Sequence, residues 1–314
     1  IHDSNLNESL SISSVGKYDI EIIVTSSTEV MINKQKLILT VNPKLQPIAD
    51  ATILTITPMF EQITKDTYSV ERVNFDGTNT EPGTTIVLRK DPNYDENDFY
   101  RITFSNLKGT PEKPIVITHD SSIFNMKFKS FNGIYFGNCK HVILDGRGYQ
   151  NIDNSLKFFS EKYVNDEGVI AIQSADLSSD IEIHNCEIYN IKFAGIMLKS
   201  DPKLSKPKTL RYDEITNPDG FICENIVIHH MDIHDVGGEG MYLGYFNAGV
   251  LTKEIDGQEY EYRAHKMIDS KIYRNNFTRC GWDSFQLNNA YGETEICYNV
   301  AINSGYLGEF GQNT

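Results

Sequence analysis

One positional repeat restricts this chain more than any other feature. Ile183, Ile188, Ile191, Gly195, Ile196 and Leu198 recur as Ile228, Ile233, Val236, Gly240, Met241 and Leu243. They recur again as Ile272, Phe277, Cys280, Ser284, Phe285 and Leu287. A fourth copy begins at Ile296 and runs through Ala301 to Gly305, so the copies start 45, 44 and 24 residues apart. The shortest offset is the bare unit, and the longer ones carry insertions. A unit of this length with short strands and no helical period suits one coil of a parallel β-helix, which buries its inward side chains only by stacking on its neighbours. Leucine-rich repeats have a similar period, but their L-x-x-L-x-L-x-x-N signature is absent. A β-sandwich is the ordinary alternative for Asn- and Gly-rich β sequence, yet it does not require four copies to agree position by position.

Upstream of the repeats, short β-rich runs occupy Thr85–Leu88, Tyr100–Phe104, Pro114–Thr118, Gly133–Phe136 and Val142–Leu144. The first 42 residues have a different texture. Tyr18–Val24 and Leu37–Val41 predict two strands around the polar turn Ser26–Thr28. Two or three strands are too few to close a sandwich. We therefore expect a partial β-sandwich over 1–43, a linker and N-terminal cap over 44–83, and a parallel β-helix over 84–314. The run Gly305–Phe310 reads as structure still in progress, so the chain is expected to belong to a longer one. Its five cysteines have no zinc or disulfide spacing and read as small core hydrophobes.

Charge narrows the partners. With 43 acidic against 29 basic side chains the net charge is −14, the wrong sign for nucleic acid or an anionic membrane surface. No run of 18 apolar residues predicts a membrane span.

The segments "PGTTIVL", "FSNLKGTPEKPIVIT", "FGNCKHVILDGRG", "GGEGMYLG" and "GWDSFQL" together resemble the secreted bacterial right-handed β-helix proteins of the pectate-lyase-like superfamily. The likeness covers about residues 80–314. The pattern "GKYDIEIIVTSS…KLILTVNP" is similar to the last two strands of an immunoglobulin-like domain. The resemblance implies a right-handed coil, a secreted or cell-surface location and a polysaccharide or cell-surface glycan as partner. It implies no single activity, because the superfamily holds lyases, hydrolases and proteins without known catalysis. The Asn-Thr-Asp, Asp-Asp and Gly-His-Gly set of its polygalacturonases is missing here.

Register places candidate site residues. Ile196, Met241 and Phe285 should stack inward, as should Leu198, Leu243 and Leu287, with Met197, Tyr242 and Gln286 outward by alternation. The column Ala194, Glu239, Asp283 puts two carboxylates on adjacent coils, about 4.8 Å apart at the backbone. So close a pair must raise a pKa or bind a cation. A neighbouring column holds Asn190, Asp235 and Arg279, and Lys199 and Asn288 close the strand on its far side. Tyr242 and Trp282 offer an apolar platform for a sugar ring. The insertions 200–220 and 245–264 leave after the same strand and should wall a groove beside it.

These materials suit two chemistries. In β-elimination a cation or Arg279 neutralises a uronate while Lys199 or Arg279 removes a proton. In hydrolysis Glu239 and Asp283 act as acid and nucleophile. The expected catalytic set is thus Glu239, Asp283, Lys199 and Arg279, with Tyr242, Gln286, Asn288 and Trp282 binding substrate. A cation held by Glu239, Asp283 and Asp235 would be calcium, since all three offer hard oxygens. The plainer alternative makes Asp235–Arg279 a surface ion pair and Glu239 and Asp283 turn residues, in a non-catalytic adhesin or stalk. His184 and His229 should stack, and Asn185, Asn190, Asn275, Asn299 and Asn303 should sit in turns.

Overall fold

A computed structural model describes residues 16–25, 31–41, 48–56, 61–64, 67–70, 73–90, 101–128, 132–160, 169–175, 177–200, 221–245, 249–255, 258–262, 264–305 and 307. Among them there is no helix, hence none long and apolar enough to cross a membrane. Three long sheets carry the architecture, and every pairing within them is parallel. The eight-stranded sheet stacks Thr52–Ile56, Thr85–Lys90, Ile115–His119, Lys140–Asp145, Ser179–His184, Val227–His229, Lys271–Tyr273 and Glu295–Cys297. The seven-stranded sheet stacks Val73–Asp76, Ile102–Ser105, Asn132–Gly137, Ile170–Ala175, Ala194–Leu198, Met241–Leu243 and Phe285–Leu287. The six-stranded sheet stacks Phe124–Phe128, Leu156–Ser160, Cys186–Ile191, Asp232–Val236, Asn276–Cys280 and Val300–Ile302. The chain visits the sheets in rotation, and neighbours in each sheet come from successive coils. This all-β arrangement is consistent with a parallel β-helix.

The repeat alignment is the ladder register. Ile183 pairs with Ile228, Ile228 with Ile272, and Ile272 with Ile296. The first three are fully buried, whereas Ile296, with a described rung on one side only, is 40% exposed. Ile196, Met241 and Phe285 form a second column, and Leu198, Leu243 and Leu287 a third, all against one axial core. The ladders reach upstream of residue 84, because Thr52–Ile56 pairs with Thr85–Lys90 and Val73–Asp76 with Ile102–Ser105. Strands that short are hard to separate from a linker by pattern alone. Gly16–Thr25 and Met31–Val41 form an antiparallel hairpin, its turn lying outside the described residues.

Strand length tapers along the stack. In the two larger sheets, Asn132–Gly137, Lys140–Asp145, Ile170–Ala175 and Ser179–His184 have six residues each. Val227–His229, Met241–Leu243, Lys271–Tyr273 and Phe285–Leu287 have three. The insertion at 201–220 lies outside the described residues, whereas the next one folds as an antiparallel hairpin of Leu251–Ile255 with Gln258–Tyr262.

Left-handed turns also stack. Asn185, His230, Arg274 and Tyr298 occupy one column at φ between 53 and 56°. Asn190, Asp235, Arg279 and Asn303 share left-handed φ values over the same range, the first three as single residues inside their strands rather than in turns. Asn275 and Asn299 differ from the expectation. Instead of turning the chain they form a side-chain ladder, in which the Asn275 amide donates to the Ile228 carbonyl and to Asn299, and that of Asn299 to the Ile272 carbonyl. Among the described residues all five cysteines are free. Burial pushes Cys139 up to about 11 and Cys223 and Cys280 up to about 12, which removes thiolate chemistry there.

Candidate functional site

Glu239 and Asp283 precede the strands Met241–Leu243 and Phe285–Leu287. The Gly195 amide donates to the Glu239 carbonyl at 3.0 Å, and the Gly240 amide to the Asp283 carbonyl at 2.9 Å. The column Ala194, Glu239, Asp283 is therefore in register, one coil apart at each step. Glycine keeps the inner side of this edge clear. A Cβ on Gly240 would stand 2.4 Å from the Ser284 carbonyl oxygen and 2.7 Å from the Phe277 ring. Beside the column, Ile170, Ala194, Met197 and Tyr242 form a small apolar cluster separate from the axial core, with Phe193 packed on it.

Glu239 is 2% exposed, and its Oε2 has no hydrogen-bond partner. A buried carboxylate with an unmet oxygen is costly as an anion. Burial raises its pKa, the Asp283 charge raises it further, and its own amide and the Lys199 ammonium work the other way. Asp283 is half-buried, and desolvation raises it too. The pair therefore favours holding a proton, and Asp283 is the more exposed of the two.

Lys199, Tyr242, Gln286, Asn288 and Trp282 fall on the same face. Lys199 Nζ lies 4.7 Å from the Tyr242 ring centre and 5.5 Å from that of Tyr245. Tyr242 pairs with Gln286, and the backbone N–H of Asn288 donates to the Leu243 carbonyl. Trp282 meets Phe193 edge-on at 5.8 Å. Alternation does turn Met197 and Tyr242 away from the axis, but both are buried, so the expected open floor is closed at those two positions.

Arg279 and Asp235 do not join this set. They belong to the six-stranded sheet, where Arg279 Nε and Nη2 each donate to Asp235 at 2.5 Å. The guanidinium holds Asp235 down to about 2, and the two form the surface ion pair of the plainer alternative. The chain continues through His234, which bonds Asp235 at 2.7 Å and Glu187 at 3.3 Å, to Lys157. The calcium set of Glu239, Asp283 and Asp235 is not assembled. Among the described residues no three His, Cys, Asp or Glu side chains are grouped to hold a metal ion.

Two features escaped sequence reasoning. Ser200 Oγ is buried without a hydrogen-bond partner, as is Nδ2 of Asn288, a residue the sequence does single out. Only its position next to Lys199 signals Ser200. At the opposite end of the sheet, Arg101 donates to the carbonyl and side-chain oxygens of Asn132, and Asn132 donates to Gln173. Asn132 and Gln173 hold, upstream, the columns that later carry Glu239 and Tyr242.

A second polar column sits at the end of the eight-stranded sheet. Asp145, His184, His229 and Tyr273 occupy successive rungs. The rings of His184 and His229 stack at 4.8 Å and 4°, those of His229 and Tyr273 at 4.8 Å and 11°. His229 Nε2–H donates to Glu182 at 3.0 Å, its Nδ1 shares a proton with His230 at 2.7 Å, and His184 Nδ1 bonds Asn185 at 2.8 Å. Asp145 accepts three hydrogen bonds from Arg147. Burial opposes its charge, yet Arg147 and His184 keep its pKa below the ordinary value.

Comparison of the chain with protein-family models, with curated proteins and with solved structures finds no match in any of the three.

Proposed function

We propose that this is an extracellular β-helix protein that binds or cleaves a polysaccharide. In this reading the coil is right-handed, of the pectate-lyase-like kind, and the N-terminal hairpin ends an immunoglobulin-like unit. One observation carries the proposal: Glu239, buried with an unmet carboxyl oxygen, stands one coil from a second carboxyl, Asp283. A raised pKa suits Glu239 as the group that delivers a proton to a leaving oxygen. Glu239 is then the acid, Asp283 the base or nucleophile, and Trp282, Gln286 and Asn288 contact the sugar. With Arg279 engaged by Asp235, acid-assisted hydrolysis fits these residues better than β-elimination.

A polysaccharide panel tests this through new reducing ends and the absorbance of unsaturated products, with Glu239→Ala/Asp283→Ala as the control. Turnover or binding lost in that folded variant supports the proposal. Turnover that the double variant retains removes these two carboxyls from the chemistry, whereas binding retained with no turnover by either protein favours the second reading, a non-catalytic adhesin or stalk. The burial of Met197 and Tyr242 is the observation on that side.

A further inference from the structure

We propose that His229 and His230 form an acid-sensitive latch at the end of the eight-stranded sheet, closed by a proton shared between the two rings and opened when both rings are charged. Their Nδ1 atoms stand 2.7 Å apart. A bond between two imidazole nitrogens needs one donor and one acceptor, so a single hydrogen closes it. His229 offers its Nε2–H to Glu182 at 3.0 Å. With both rings neutral, His229 Nδ1 then accepts and His230 Nδ1–H donates. One added proton is tolerated. His229 becomes the cation and donates from both nitrogens, to Glu182 and to His230, whose own hydrogen moves to Nε2. A second added proton puts hydrogen on both Nδ1 atoms. The bond is lost, and two cations face each other.

The repeat supplies its own comparison. One coil earlier the same two positions hold His184 and Asn185, and His184 Nδ1 bonds Asn185 Oδ1 at 2.8 Å. A carboxamide oxygen accepts from an imidazole N–H whether the ring is neutral or charged. One coil later the positions hold Tyr273 and Arg274. In the described part of this column, paired imidazoles therefore occur at one rung. That rung is packed on both sides: His229 stacks between His184 and Tyr273, and His230 meets Tyr273 edge-on at 6.1 Å. The charged groups around it are Glu182 and Asp145 from preceding coils, Arg147 bonded to Asp145, Asp153 held by Asn185, and Arg274 from the following coil. The Glu182 carboxylate compensates the first charge. Burial opposes a charge on His230, and Arg274, His184 and Arg147 add to that against Asp153. His230 is only half-buried, so solvent protons reach it.

Opening should release the amide of Asn185, which donates to the His229 carbonyl, and the short strand Val227–His229. Hydrogen exchange of the whole chain, followed as protection factors from about pH 7.5 to about pH 5, reads it. Peptides over 184–186 and 227–231 should lose protection about tenfold as pH falls, the equivalent of one lost hydrogen bond, while the strand Asn132–Gly137 keeps its own. His230→Asn copies the His184–Asn185 pair with a residue that tolerates the φ of 53°. Its protection should change less than about twofold over the same range. No loss in the parent, a loss spread evenly over all strands, or an equal loss in parent and variant overturns the proposal. If His230→Asn does not fold, as judged by circular dichroism, imidazole nitrogen NMR of the parent decides. Two coupled steps shared by both rings support the latch, and two independent single-step titrations overturn it.

Discussion

Two polar columns climb this stack, and they are built on opposite terms. Asp145, His184, His229 and Tyr273 are mutually stacked, and the imidazoles and carboxylate are bonded to Asn185, His230, Glu182 and Arg147. Glu239 is as buried as His184, yet one of its oxygens has nothing to bond. Burial alone therefore does not distinguish the two columns. Completeness of hydrogen bonding does. A finished network stabilises the fold, while an unfinished one is tolerated at a cost that function can explain.

The largest expected effect comes from the finished column. His229→Ala should destabilise the fold by about 3 kcal/mol in chemical denaturation, because it opens a void between two rings and removes a hydrogen bond from Glu182 and one from His230. A loss under about 1 kcal/mol, the size of an ordinary surface change, would erase the contrast.

The columns should next separate on a pH axis. Burial lowers the pKa of His184, and likewise of His119, His141 and His230. The unfolded chain then takes up protons before the folded one. The stability these groups contribute is present above about pH 6.5 and is lost as pH falls through their lowered folded values. Glu239 and Asp283 run the other way. Their raised folded values give a contribution present at low pH and lost as pH rises from the ordinary carboxyl range through those values. Denaturation midpoints of the parent and Glu239→Gln between pH 4.5 and 7.5 check this. The variant should gain on its parent as pH rises, and a constant difference would contradict the sign.

At neutral pH, Glu239→Gln should leave stability unchanged or raise it by up to about 1 kcal/mol, while abolishing any turnover. A clear destabilisation would place Glu239 with the structural column. The smallest effect is expected for Arg279→Ala, which removes an ion pair whose arginine side chain is 50% exposed. It should cost less than about 1 kcal/mol, fading with salt, and should not alter glycan binding.

Much of the frame could be read in advance, because a ladder in register turns sequence spacing directly into spatial neighbours. Ile183, Ile228, Ile272 and Ile296, and equally Glu239 and Asp283, follow from counting alone. What counting does not carry is side-chain direction beyond the strand. Arg279 and Asp235 have left-handed backbone inside their strands, and there alternation no longer says which face a side chain serves. The closure of Met197 and Tyr242 depends on Ile170 and Phe193, which come from other positions in the coil. Thr52–Ile56 is illegible for a different reason, since no copy of the repeat stands beside it in sequence to fix its register.

The taper gives the candidate site a mechanical character. Glu239 and Asp283 adjoin three-residue strands, in the half of the stack where the strands of the two larger sheets are shortest. In a linear array each coil is held chiefly by its two neighbours, so the amides of these short strands should exchange their hydrogens ahead of those in the six-residue strands. A ligand bridging Glu239 and Asp283 would act as a cross-tie between two coils that meet through short strands, stiffening the stack there.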